Sequence, residues 1–250
     1  MTRFILAFAP LILASSWARA EIPGWPADVR EVSYTSPGDH STQRALFWSP
    51  QGLTQERPLL VGLHTWSAHY RQTGSSPPYL AWCKQRGWIF IHPNFRGPNR
   101  TAAALGSDLA VADIVGAVEY AKSQATVDMR RIYLIGASGG GHMALLMAGR
   151  HPEIWAGVSA WVPISDVAAW HRECTENSSF AGYAKHIEAA LGGTPETDSA
   201  RAESAKRRSP VTWLARAKGV ALDINAGVHD GRTGSVPFSH SLLAFNCVAA

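Results

Sequence analysis

One stretch constrains the fold more than any other. Arg131-Ile132-Tyr133-Leu134-Ile135 is a run of buried-strand type, and it leads directly into Gly136-Ala137-Ser138-Gly139-Gly140, a G-x-S-x-G pattern. Residues 140–150 then read as a helix. A turn from strand straight into helix is so tight that side chains flanking the serine would clash. Glycines on either side let Ser138 take a strained backbone and hold its hydroxyl up at the sheet edge. The helix that starts there aims its first N–H groups at the same point, which favours a developing anion. A glycine-rich turn made only for close packing is the plainer reading, and the order strand, motif, helix argues against it.

The flanking segments extend this unit into a sheet. Residues 58–63, 88–91, 158–164 and 220–225 are further apolar runs of strand length, and residues 32–35 and 43–49 flank Pro37-Gly38-Asp39 as a hairpin. Between them, residues 107–122 carry apolar side chains at Val111, Ile114, Val115, Val118 and Ala121, the stripe of an amphipathic helix, with Ser107 as its cap and Asp108 at its positive end. Strands alternating with helices predict an α/β fold, a doubly wound and mostly parallel sheet covered on both faces. In such sheets function collects at the carboxyl ends of the strands. Residues 168–217 break the alternation, with one helical piece at 183–191, and are expected to form a lid-like excursion over the sheet edge.

Residues 1–20 precede all of this. Arg3, an apolar run over residues 4–14 and the ending Ala18-Arg19-Ala20 have the three-part form of a secretory signal peptide. The expectation is an exported chain, periplasmic or extracellular, with residues 21–250 as one domain. The apolar run is too short to span a bilayer, which takes about 20 residues. Those twenty residues hold two arginines and no acid, so the remainder carries a net charge of +2, and no basic stripe points to nucleic acid. Cys83, Cys174 and Cys247 leave room for one disulfide after export, but none is spaced as C-x-x-C. No histidine pair forms H-x-x-x-H or H-E-x-x-H, so no metal and no cofactor is expected.

A serine hydroxyl needs a base, the base an orienting carboxylate, and the attacked carbonyl needs hydrogen-bond donors. One donor is expected to be the backbone N–H of Gly139. The second should come from His64-Thr65-Trp66 after the strand at 58–63, from Thr65 or Trp66. His64 and Trp66 are expected at the substrate pocket, with Trp170 from the excursion; for His64 a packed histidine at a strand end is the stronger reading than a catalytic one. The carboxylate should follow a late strand, which selects Asp230 in Ala226-Gly227-Val228-His229-Asp230-Gly231. Asp166 is the reserve and reads better as a helix cap.

These residues resemble the α/β-hydrolase catalytic domains of the prolyl-oligopeptidase type over about residues 58–240. The carrying stretches are Val127-Asp128, Arg131-Ile132 and Gly136-Ala137-Ser138-Gly139-Gly140; Asn94-Phe95-Arg96-Gly97; Asp113; Leu191-Gly192-Gly193 with Ser209-Pro210; and Val236-Pro237. The resemblance implies Ser138 as nucleophile and Asp230 as acid. It leaves no room before residue 32 for the propeller that gates the family's larger peptidases. Two departures stand out. Five residues separate Asp230 from Val236-Pro237, more than in the family, and no histidine follows His240, although the family's order places the base after the acid. Three explanations are open: the chain is C-terminally incomplete, lacking the last strand and helix with the histidine; His240 serves; or His229 serves.

The resulting expectation is an exported serine hydrolase, foremost a carboxylesterase acting through an acyl-enzyme on a small or carbohydrate ester. A peptidase is the second reading. The third is a non-catalytic protein that keeps the fold to bind a ligand.

Overall fold

The computed structural model describes residues 21–52, 54–74 and 76–249; the signal-peptide segment lies outside the described residues. Seven strands form one sheet: β1 (Arg30–Thr35), β2 (Thr42–Trp48), β3 (Arg57–Leu63), β4 (Ile89–Pro93), β5 (Val127–Ala137), β6 (Gly157–Trp161) and β7 (Ala221–Asn225). Their order is β1-β2-β4-β3-β5-β6-β7. β1, β2 and β4 pair antiparallel, and every pair from β4 to β7 is parallel. This is the α/β fold that the alternation predicts, with the hairpin at its antiparallel end. The strand expected over 158–164 stops at Trp161, because Val162 turns to φ 41°.

Helices α1 (Ser76–Arg86), α2 (Asp108–Gln124), α3 (Gly139–Arg150), α4 (Val167–Glu176), α5 (Ala181–Leu191), α6 (Ser199–Arg207) and α7 (Ser239–Ala249) complete the described chain. Periodicity alone misses α1, whose Pro77-Pro78 near its start is the signal that locates it. The cap of α2 is as expected: the Ser107 hydroxyl accepts from the Ala110 N–H at 3.1 Å.

The apolar run of β3 shows why both sheet faces are covered. Leu59, Val61 and Leu63 pack against Ile114 and Val118 of α2 and Leu145 and Met147 of α3. Leu60, between them, points to the other face and joins Leu46, Phe90 and Leu80 of α1. Successive side chains of a strand alternate sides, so a continuous apolar run needs a layer on each. A third cluster joins α4–α6 to the loops at the carboxyl end of the sheet through Trp66, Leu105, Val167, Trp170, Ile187 and Ala205. The excursion at 168–217 is therefore mostly helical and buries a core of its own.

One ion network ties the loop after β4 to this frame. Arg96 donates from Nε and Nη2 to the two oxygens of Asp113 at 2.6 and 3.0 Å, and from Nη1 and Nη2 to Asp39 at 2.8 and 2.9 Å. Asp113 is fully buried on α2, and the guanidinium holds the exposed Asp39 carboxyl below the usual carboxylate range. Removing one partner of a buried pair strands the other, at about 3–5 kcal/mol. Asp113→Asn is expected to lower the unfolding free energy by roughly 3 kcal/mol, read from urea unfolding followed by tryptophan fluorescence; an unchanged midpoint would show that the network is dispensable.

Candidate active site

Ser138 sits between β5 and α3 with φ 56° and ψ −119°, a left-handed conformation that costs a non-glycine residue about 1–3 kcal/mol. Its surroundings enforce it. A Cβ on Gly136 would lie 2.4 Å from the backbone of Gly140, and one on Gly140 would lie 2.8 Å from the carbonyls of Leu63 and His64. The Ser138 N–H donates to the Trp161 carbonyl at 2.9 Å, and its own carbonyl accepts from the His142 N–H at 2.9 Å. The side chain stays half-buried, and its hydroxyl has no hydrogen-bond partner among the described residues.

The two donors expected opposite Ser138 resolve differently. The Thr65 N–H donates to Gln72 Oε1 at 2.7 Å, which removes Thr65 from the candidates. The Trp66 N–H stands against Gly139: a Cβ on Gly139 would lie 2.6 Å from Trp66 N and 2.5 Å from its Cα. Neither the Trp66 nor the Gly139 N–H is hydrogen-bonded among the described residues. Two backbone donors without partners among the described residues, after the ends of β3 and β5, thus lie close together next to the strained serine.

Other expected residues lie elsewhere. His64 is fully buried, stacks on Phe95 at 3.8 Å and faces the carbonyls of Asn94 and Thr65 at 2.7 and 2.9 Å. It holds two loops together. Trp170 is also fully buried; its Nε1–H donates to the Ser235 carbonyl and its ring meets Trp66 edge-on at 4.6 Å. Trp66 is 2% exposed, and its ring joins the core cluster with α4 and α5. Of the pocket predicted from His64, Trp66 and Trp170, the two tryptophans form a packed cluster, because indoles bury large apolar area wherever a core can accept them, and His64 packs apart from them on Phe95.

His240 is likewise engaged. The Ser165 N–H donates to its Nδ1 at 3.2 Å, the Ser165 hydroxyl donates to its carbonyl at 2.8 Å, and its Nε2–H donates to Glu173 at 2.9 Å. At 2% exposure with both ring nitrogens occupied, His240 offers nothing to Ser138 or Asp230. Ser165, His240 and Glu173 mimic a catalytic order, yet Ser165 is fully buried and its proton points to a carbonyl; the three pin α7 to α4. Asp166 caps α4, accepting from the Ala169 N–H at 2.9 Å. Asp230 lies half-buried in the loop after β7, where its carboxylate accepts from the Gly227 N–H at 2.8 Å. His229 is exposed on the same loop.

Among the described residues no group of three or more His, Cys, Asp or Glu is placed to hold a metal ion, and all three cysteines are free. An apolar cavity of about 580 Å³, walled by Tyr79, Trp82, Trp88 and Tyr133, lies on the α1 face of the sheet, away from Ser138.

The match to known proteins now has a structural counterpart. Residues 75–246 match the model of the prolyl oligopeptidase family. The chain belongs to that family. Feruloyl esterase B of Talaromyces stipitatus is 28% identical over 161 residues, which cover 61% of this chain and 44% of that protein. Acetylxylan esterase A of Emericella nidulans is 24% identical over 62% of this chain and 56% of its own. The chain spans about half the length of the curated relatives it matches. Among solved structures, an acylaminoacyl peptidase from Pyrococcus horikoshii superposes with a TM-score of 0.66 at 16% identity, over 88% of this chain and 34% of its own. A puromycin hydrolase does so at 0.68 and 18%, over 89% and 33%. At such identity the shared property is the α/β-hydrolase fold.

Two expectations follow from this geometry. Gly139→Ala forces a methyl group into the Trp66 backbone and is expected to cost about 1–3 kcal/mol of stability, measured by thermal melting; a variant as stable as the parent would show that the two loops are not in close contact. The second concerns acid. Burial pushes the imidazoles of His64 and His142 down to about 4 and that of His92 to about 3. The unfolded chain therefore takes up protons below about pH 6.5 that the folded chain refuses. Their stabilising contribution is complete above that pH and lost as pH falls toward 4, about 2 kcal/mol per histidine by pH 5. Urea midpoints should fall between pH 7 and 5, and His92→Phe should flatten that fall. Equal slopes would contradict the assignment.

Proposed function

We propose that this chain is a serine hydrolase of the carboxylesterase type, exported after loss of residues 1–20, and that Ser138 is its nucleophile. The observation that carries the reading is the pairing of a strained, unpartnered Ser138 with the free N–H groups of Trp66 and Gly139. Ser138 Oγ attacks the ester carbonyl carbon and gives up its proton to a base. The carbonyl oxygen becomes an anion held by the two N–H groups. The bond to the leaving alcohol then breaks, the alcohol takes the proton, and water splits the acyl-enzyme. Asp230 is assigned as the acid on its place after β7. The base is the open role; His229, beside Asp230, is exposed and its ring has no hydrogen-bond partner among the described residues.

Esters fit better than amides. An amine leaves only when a positioned acid protonates it, and among the described residues no histidine is hydrogen-bonded to Ser138 or Asp230. The relatives named as feruloyl and acetylxylan esterases favour acylated plant polysaccharide as the substrate class.

The test is intact-mass analysis after treatment with a fluorophosphonate, together with hydrolysis of aryl esters and of a peptide anilide. One adduct on Ser138, absent from Ser138→Ala, and turnover of the esters ahead of the anilide are expected. A folded chain that gains no adduct would overturn the reading. An adduct lost in His229→Ala but kept in His240→Ala would give the base role to His229.

A further inference from the structure

The loop after β4 brings one more polar group to the same point. Asn99 is 1% exposed, and its backbone N–H and side-chain nitrogen lie close to Trp66 and Gly139. Its N–H donates to the Trp66 carbonyl at 2.9 Å, and its side-chain oxygen accepts from the Leu105 N–H at 2.9 Å. That second bond fixes which end of the amide is nitrogen. Nδ2 then lies buried with no partner, 3.0 Å from the position a Cβ on Gly139 would occupy, the same point that lies 2.6 Å from Trp66 N. Buried donors without acceptors are rare and costly, so each one asks for an occupant.

We propose that the Asn99 side-chain amide is a third donor to the anionic oxygen held by Trp66 and Gly139, and thus a catalytic residue that acts on the transition state. This rests on the serine-hydrolase reading above. The ground-state carbonyl oxygen carries little charge and stays farther from the donors. As the carbon becomes tetrahedral, the oxygen moves in and gains charge, and a donor already in place and already desolvated needs no reorganisation to meet it. The latch to Leu105 keeps the amide aimed while the site turns over.

The experiment compares the full chain with Asn99→Asp, Asn99→Ala and Ser138→Ala, using phenylboronic acid as a tetrahedral probe. The boron takes up Ser138 Oγ, the serine proton passes to water, and the adduct is a tetrahedral anion with an oxygen in the donor cluster. Asn99→Asp keeps the acceptor for Leu105 and removes the donor; Asn99→Ala removes both. If Nδ2 is the third donor, both variants lose boronate affinity and slow fluorophosphonate labelling by about 10²-fold, with kcat for an aryl ester falling and KM unchanged. Melting curves confirm that each variant is folded. If Asn99→Asp binds and reacts like the parent while Asn99→Ala does not, the residue is only a latch and the proposal is overturned. If the parent itself takes neither boronate nor label on Ser138, the hydrolase reading fails and this assignment fails with it.

Discussion

The close approach of three backbones at the carboxyl end of β3 and β5 governs the rest of the molecule. Gly136 and Gly140 touch across the turn, Gly140 rests on the carbonyls of Leu63 and His64, and Gly139 rests on Trp66. None of these contacts leaves space for a methyl group. The turn can therefore be made only with Ser138 in a conformation that costs a non-glycine residue free energy, and the packing of β3, β5 and α3 offsets that cost. What results is a serine raised out of the core beside the amide groups that begin α3.

The loops facing Ser138 are fixed by a different set of forces. His64, neutral and buried, stacks on Phe95 and hydrogen-bonds across to the β4 loop. Arg96 anchors the same loop to α2 through Asp113 and to the β1–β2 hairpin through Asp39. Phe95 and Arg96 both have positive φ, at 31° and 76°, so this loop too is held in a strained form by its partners. The consequence is positional: the Asn99 N–H is brought to the Trp66 carbonyl, and the Trp66 N–H has no acceptor among the described residues.

Trp66 joins the two halves of the structure. Its backbone faces Gly139, and its ring packs against Trp170, Tyr183 and His142 in the cluster under α4 and α5. The Trp170 ring in turn holds the loop that carries Asp230, through the Ser235 carbonyl. The helical excursion is thereby tied to both sides of the candidate site, by aromatic packing on Trp66 and by hydrogen bonds from Trp170 to the Ser235 carbonyl and from the Arg208 guanidinium to the carbonyls of Ala102, Ala104 and Leu105.

The local chain determined a good deal. Strand β5, the turn at Ser138, helix α3, the cap of α2 and the antiparallel hairpin were all legible, because each depends on sterics and hydrogen bonds between residues a few positions apart. Continuous apolar runs likewise revealed a sheet covered on both faces. What only the tertiary structure decided was which polar groups remain free. Thr65 is excluded by Gln72, His240 by Ser165 and Glu173, and His64 by the carbonyls around it, while Asn99 is singled out by an acceptor that is missing. A sequence states what each side chain can donate or accept. Whether that capacity is already spent depends on partners brought together from elsewhere in the chain, and those are set by packing.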